Sequence, residues 1–196
     1  MRIIAGQARG MTLNAPRGNS TRPMDGRARE ALFNILFPRL EAAAILDLYA
    51  GTGSLGLEAL SRGAASCIFV EKNRKAADIL EDNLERSGLA GGEVICTPCS
   101  LALKSLSLRA IRFSLVFYDP PFPASRTREQ RNLLIRELGE AADMLKPEGL
   151  IMWRLERRNY YQEELPDSLR EVDRREYGRS LLIFASRRAP SEDEES

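Results

Sequence analysis

Asp119-Pro120-Pro121-Phe122 closes the apolar run 113–118, and its residue types suit it to gripping an aromatic amine. Such an amine is a poor nucleophile, because its lone pair is delocalised into the ring. Two acceptors can take its hydrogens and draw the lone pair out of conjugation. The Asp119 carboxylate is one candidate and the Pro120 carbonyl the other. Consecutive prolines fix φ and remove two N–H donors, so Pro120 and Pro121 leave the neighbouring carbonyls rigid and without competing donors. Phe122 can stack on a base drawn out of its helix, a contact worth about 1–3 kcal/mol. Taken alone, the tetrapeptide could also be a turn with a capping aspartate.

A second constellation supplies what such an amine would attack. Asp47-Leu48-Tyr49-Ala50-Gly51-Thr52-Gly53-Ser54-Leu55-Gly56 follows one apolar run and opens a helical one. Gly51, Gly53 and Gly56 permit a tight turn and close backbone approach to a ligand. Glu71 comes 20 residues after Gly51, where a carboxylate can accept from both ribose hydroxyls of an adenosine. Nicotinamide enzymes use nearly the same device. Asp47 tips the reading toward S-adenosylmethionine, because a carboxylate there suits a cationic amino-acid moiety. The hydroxyls of Thr52 and Ser54 suit a carboxylate better than a pyrophosphate. Tyr49 and Lys72 flank these positions and complete the candidate cofactor set.

Composition limits the chemistry further. The chain has no histidine, which removes the commonest general base and the commonest metal ligand. An already activated methyl needs neither, only orientation. Cys67, Cys96 and Cys99 are too few for a disulfide framework or a four-ligand zinc site. A reducing cytoplasm fits this usage. Cys96 and Cys99 read as ordinary cysteines near a strand end, with a redox pair as the alternative. No apolar run approaches the roughly 20 residues that span a bilayer. Residues 1–39 carry seven arginines against Asp25 and Glu30. Arginine forks match phosphate oxygens and stack on bases, although a codon bias would also enrich arginine.

The elements that must position these residues follow from periodicity. Residues 2–14 read as a β-hairpin with turns at Gly6 and Gly10, and 27–36 as a helix ended by Pro38. Strands are expected at 45–48, 66–70, 93–96, 113–118 and 150–153, with helices at 55–62, 74–87, 101–106 and 129–145 between them. Apolar strands separated by amphipathic helices imply a parallel sheet covered on both faces. Residues 171–177 and 181–185 flank Gly178 without a helix between them and read as an antiparallel edge pair. The expectation is an α/β, Rossmann-like class I methyltransferase fold, with a mostly parallel seven-stranded sheet over 41–188. The hairpin and helix of 1–40 precede it, and residues 189–196 form a disordered acidic tail.

With both constellations placed, the chain resembles the RsmD-type family of 16S rRNA guanine-N2 methyltransferases. Arg2-Ile3-Ile4-Ala5-Gly6 with Arg9-Gly10 and Leu13, then Thr21-Arg22-Pro23 and Arg29-Glu30-Ala31-Leu32-Phe33-Asn34, are similar to its N-terminal signatures. Asp47–Gly56, continuing through Ala64, is the closest stretch, and Asp119–Phe122 stands where the family's catalytic motif falls. The resemblance implies Asp119 and Pro120 as amine acceptors, Glu71 at the ribose, and the Gly51–Gly53 loop at the methionine part. Met24-Asp25-Gly26 and Pro98-Cys99 depart from the usual pattern, and Cys99 with nearby backbone groups is the expected adenine contact. Arg2, Arg9, Arg17, Arg22, Arg27 and Arg29 form the candidate RNA surface, positioning phosphates without reading sequence. Phe33, Leu32 and Ile35 are expected in the core.

The implied substrate is a guanine N2 in 16S rRNA on an assembling small ribosomal subunit, methylated by a monomer without a metal. DNA adenine-N6 methylation uses a similar tetrapeptide, but only about 40 residues lie outside the catalytic core, little room for a DNA-recognition domain. A non-catalytic RNA-binding assembly factor and a small-molecule methyltransferase are the remaining alternatives.

Overall fold

The computed structural model describes residues 1–16, 24–122, 127–159 and 165–188. The expected acidic tail at 189–196 lies outside the described residues, as do Arg17 and Arg22.

The strands are β1 (Ala44–Leu48), β2 (Ser66–Val70), β3 (Gly92–Ile95), β4 (Phe113–Tyr118), β5 (Leu145–Glu156), β6 (Leu169–Tyr177) and β7 (Ser180–Arg187). They form one sheet in the order β3-β2-β1-β4-β5-β7-β6. The first five pair in parallel, and β7 runs antiparallel between β5 and β6. The helices are α1 (Gly26–Leu36), α2 (Gly56–Ser61), α3 (Arg74–Ser87), α4 (Cys99–Ser107) and α5 (Arg128–Asp143).

Alternate residues of each central strand serve opposite faces. Ile45, Phe69, Leu115 and Phe117 pack with α1, α2 and Leu80 of α3. Leu46, Val70, Val116 and Tyr118 pack with Leu103 of α4 and Leu138 of α5. Both faces are covered, so the central strands read as unbroken apolar runs. Phe33 and Leu32 are fully buried, and Phe33 meets Phe117 edge-on at 5.9 Å between centroids. Helix ends follow local chemistry. Asn73 caps α3 by accepting from the Ala76 N–H, Gly88 ends it in the left-handed region, and Thr127 with Gln130 forms a capping box on α5.

Two elements differ from expectation. The N-terminal hairpin has a single antiparallel bridge, Arg2 to Thr12, because its three-residue arms are too short for a ladder. Backbone bonds from Ile3 N–H to Met11 O and from Leu13 N–H to Met1 O join the arms, and docking adds to them. Glu58 of α2 accepts from the N–H groups of Ile4 and Ala5 at 2.7 and 3.0 Å, and Ser61 Oγ accepts from Ala8 N–H. Asn83 of α3 accepts from Asn14 N–H and donates to Asn14 O and Thr52 O. Second, β5 starts at Leu145 rather than 150. Its exposed Lys146-Pro147-Glu148 stretch accompanies a register shift against β4 between Phe113 and Leu115, and those polar residues hide the strand in the sequence. Among the described residues, no helix is long and apolar enough to cross a membrane.

Glu58 is almost fully buried and also pairs with Arg62 at 2.7 Å. Glu58→Ala is expected to lower unfolding free energy by about 3–5 kcal/mol and to abolish amide-exchange protection at Ile4 and Ala5. Unchanged protection at those amides would show that the hairpin is held by other contacts.

Candidate active site

Register brings the chemistry together. Leu48 of β1 stands opposite both Val70 of β2 and Tyr118 of β4. Asp47, Glu71 and Asp119 therefore gather at the carboxyl edge of three adjacent strands, where ligands bind in open α/β sheets. Asp47 is 1% exposed, and its Oδ2 accepts from Gly56 N–H at 2.9 Å. Burial pushes its pKa up to about 8, opposed by the Gly56 bond and reinforced by the charges of Asp119 and Glu71.

The loop after β1 is shaped by positive φ at Tyr49, Gly51 and Gly53. A Cβ on Gly53 would lie 2.1 Å from Leu80 Cδ1, and one on Gly56 would lie 2.2 Å from Phe69 Cε1. These two glycines permit loop and helix to seat on the sheet. A Cβ on Gly51 would meet nothing within 4 Å, so that side of the loop is an open cradle. Glu71 holds the cradle from below, accepting from Gly51 N–H at 2.9 Å and from Asn73 N–H at 2.7 Å. Thr52 is half-buried and Lys72 exposed. A buried carboxylate seeking a cation, an open glycine turn and a clamped glutamate fit a cationic amino acid joined to a ribose.

Asp119 continues β4, with Pro120 buried and Pro121 and Phe122 half-buried behind it. Its Oδ1 accepts from Arg154 Nε. The same guanidinium lies over the Phe122 ring, 5.0 Å from its centroid. Burial raises the Asp119 pKa, and Arg154 opposes the rise by charge and hydrogen bond. Sequence reasoning missed Arg154. Its signal was a lone cation inside the apolar run 150–155, one residue beyond the Tyr118–Trp153 pairing.

Tyr49 and Cys99 share a partner on α5. Tyr49 Oη donates to Glu137 Oε2 at 2.7 Å, and Tyr118 Oη donates to the same oxygen at 2.9 Å. The two rings meet edge-on at 5.7 Å. Cys99 is buried at the start of α4, its thiol pKa driven up by burial and by Glu137. Both polar tips are thus committed to Glu137 on α5, a buried acid that the sequence reading did not single out.

The basic set divides. Arg2, Arg9 and Arg27 are exposed and line a cleft of about 1010 Å³ with Asp25 and Glu30. Arg29 is corrected. It is only 3% exposed, its Nη2 donates to Arg2 O at 2.6 Å, and burial lowers its pKa. It supports the hairpin from beneath and is not a surface phosphate contact. The hairpin folding over α1 covers it.

The family model described as conserved hypothetical protein 95 matches residues 1–186. The chain belongs to that family. Ribosomal RNA small subunit methyltransferase D of Escherichia coli (strain K12) is 40% identical over 134 residues, covering 68% of this chain and 66% of its own. The Haemophilus influenzae protein of the same name is 35% identical over 152 residues, covering 77% and 76%. A solved structure of a hypothetical protein from Thermus thermophilus superposes with a TM-score of 0.80 at 31% identity, covering 95% of this chain and 99% of its own. The RsmD-type resemblance of the motifs is therefore a family relationship over the whole fold.

The raised Asp47 pKa has a stability consequence. A proton binds this carboxylate more tightly in the folded chain, at about 8, than at the ordinary 3.8. That stabilisation is fully present below about pH 4 and lost as pH rises through about 8. In urea unfolding of the ligand-free protein, the wild-type midpoint is expected to fall from pH 5 to pH 8 more steeply than that of Asp47→Asn. Parallel pH profiles would contradict the assignment.

Proposed function

We propose that this chain transfers a methyl group from S-adenosylmethionine to the exocyclic N2 of a guanine in small-subunit ribosomal RNA. The observation that carries the reading is the placement of Asp119-Pro120 just past the end of β4, which pairs with the β1 strand that bears Asp47, with Glu71 just past the end of β2 on the other side. An amine-gripping edge and a cradle for a cationic nucleoside thus share one rim of the sheet. The relatives named for the small ribosomal subunit support the substrate class.

S-adenosylmethionine, when bound, supplies a methyl already activated by its sulfonium. The chain's residues do the rest by placement. Asp47 ionises against the cationic methionine part, and the open side of the Gly51–Gly53 loop gives that part room. Glu71 turns its carboxylate to the ribose hydroxyls. Asp119 and the Pro120 carbonyl accept the hydrogens of the target amine, so its lone pair leaves conjugation and points at the methyl. Phe122 stacks against the extruded base. Asp119 is the acceptor nearest the proton that the amine sheds as its new N–C bond forms. Alignment within about 3–3.5 Å accounts for most of the acceleration in such a reaction. Exposed Arg2, Arg9 and Arg27 hold phosphates of the RNA and set its register. On this reading a monomer acts in the cytoplasm on an assembling subunit.

The test is incubation with methyl-labelled S-adenosylmethionine and, separately, unmodified small subunits, naked rRNA, DNA or a metabolite pool. Label is expected in small-subunit RNA, and label only in DNA would refute the reading. Asp119→Ala should bind the cofactor as wild type does, yet transfer about 10²–10⁴-fold more slowly. Near-normal turnover would remove Asp119 from its role. Glu71→Ala loses charge-assisted bonds worth about 1.5–3 kcal/mol each at most, so calorimetry should find cofactor affinity at least about tenfold weaker. Unchanged affinity would place the ribose elsewhere.

A further inference from the structure

Arg154 stands apart from its strand. β5 is buried from Gly149 through Glu156, and a guanidinium in such surroundings needs a partner. Trp153 pairs with Tyr118 across β4, so Arg154 comes level with Asp119. Their side chains are 8% and 15% exposed. Arginine offers what this position uses and lysine lacks: a fork that donates along one edge while its flat face rests on an aromatic ring. Nε donates to Asp119 Oδ1 and the plane covers Phe122. Among the described residues, Oδ2 of Asp119 has no hydrogen-bond partner.

We infer that Arg154 is the positioning residue of the amine-accepting edge, fixing Asp119 through Oδ1 so that Oδ2 is presented to the target amine, and bracing Phe122 with the same guanidinium. The inference deepens the proposed methyl transfer and rests on it for the identity of the amine. The charged groups around Asp119 require such a partner. Asp47 on β1 and Glu71 at the end of β2 are both acidic and stand on the same rim. Glu137 of α5 lies with Tyr118 on the opposite face of the sheet. Arg154 is the cation that bonds Asp119. Burial works against the charged carboxylate and Arg154 works for it. An ionised Asp119 keeps Oδ2 as an acceptor for an amine hydrogen, whereas a proton on Oδ2 would make it a donor.

The experiment is a carboxyl-carbon NMR titration of Asp119 in the full chain, assigned with Asp119→Asn, in wild type, Arg154→Met and Arg154→Lys. Circular dichroism melting establishes that each variant folds, and the lysine variant retains the charge if the methionine variant does not fold. Asp119 is expected to titrate about 1–3 pH units higher in Arg154→Met and to return most of the way in Arg154→Lys. If Arg154→Met does not fold, Asp119 titrating in Arg154→Lys within half a unit of wild type supports the charge assignment, and a rise of a full unit or more overturns it. In the transfer assay the acid limb of kcat should move up by the same amount in Arg154→Met, with KM for S-adenosylmethionine within about twofold of wild type. Arg154→Lys should keep the wild-type limb but a lower plateau, because charge returns without the fork. Identical Asp119 titrations in wild type and Arg154→Met would overturn the inference. So would an equal fall of kcat at every pH. The titration decides Arg154's role even if wild type methylates no RNA, an outcome that would count against the proposed function alone.

Discussion

Three carboxylates end three neighbouring parallel strands, and the fold makes that crowding unavoidable. Asp47, Glu71 and Asp119 share a rim because β1 pairs with β2 on one side and β4 on the other. Burial, reinforced by the charges of Asp119 and Glu71, raises the cost of ionising Asp47. Each of the three is held differently. Glu71 is satisfied by backbone amides of the loop it clamps. Asp119 leans on Arg154. Asp47 has one amide, and its remaining need is a positive charge. The rim is therefore built around an incoming cation, which is what a sulfonium-bearing amino acid brings.

The N-terminal hairpin belongs to this arrangement and is not an appendage to it. Glu58 and Ser61, which hold it, stand on the helix that the glycine loop opens. Asn83 reaches both Asn14, where the hairpin ends, and Thr52, within the loop. The proposed RNA-contacting segment and the cofactor cradle are thus joined through the part-buried hydrogen bonds of Asn83. Buried Arg29 and half-buried Arg62, the latter stacked on Phe33 at 4.9 Å, complete the polar seam.

Much of this was legible in the residues. Strand positions followed from unbroken apolar runs, because both sheet faces are covered. Glu71 followed from its distance to Gly51, and Asp119 from its place after the fourth strand. What escaped depended on contacts distant in sequence. Arg154 gains meaning only once register sets it beside Asp119, 35 residues away. Arg29 looks like a surface arginine until the hairpin closes over it. The pairing of the Cys99 thiol and the Tyr49 hydroxyl with Glu137 likewise depends on α5, 38 and 88 residues further along the chain. The early start of β5 was masked by Lys146-Pro147-Glu148, polar residues that accompany a register shift and not a loop.

The most direct measurement is a crystal structure of the chain with S-adenosylmethionine. The amino group is expected near Asp47, the ribose on Glu71, and the methyl turned toward Asp119 and the Pro120 carbonyl with space for one planar base between. A ligand bound away from the glycine loop, or one whose methyl faces away from residue 119, would contradict it.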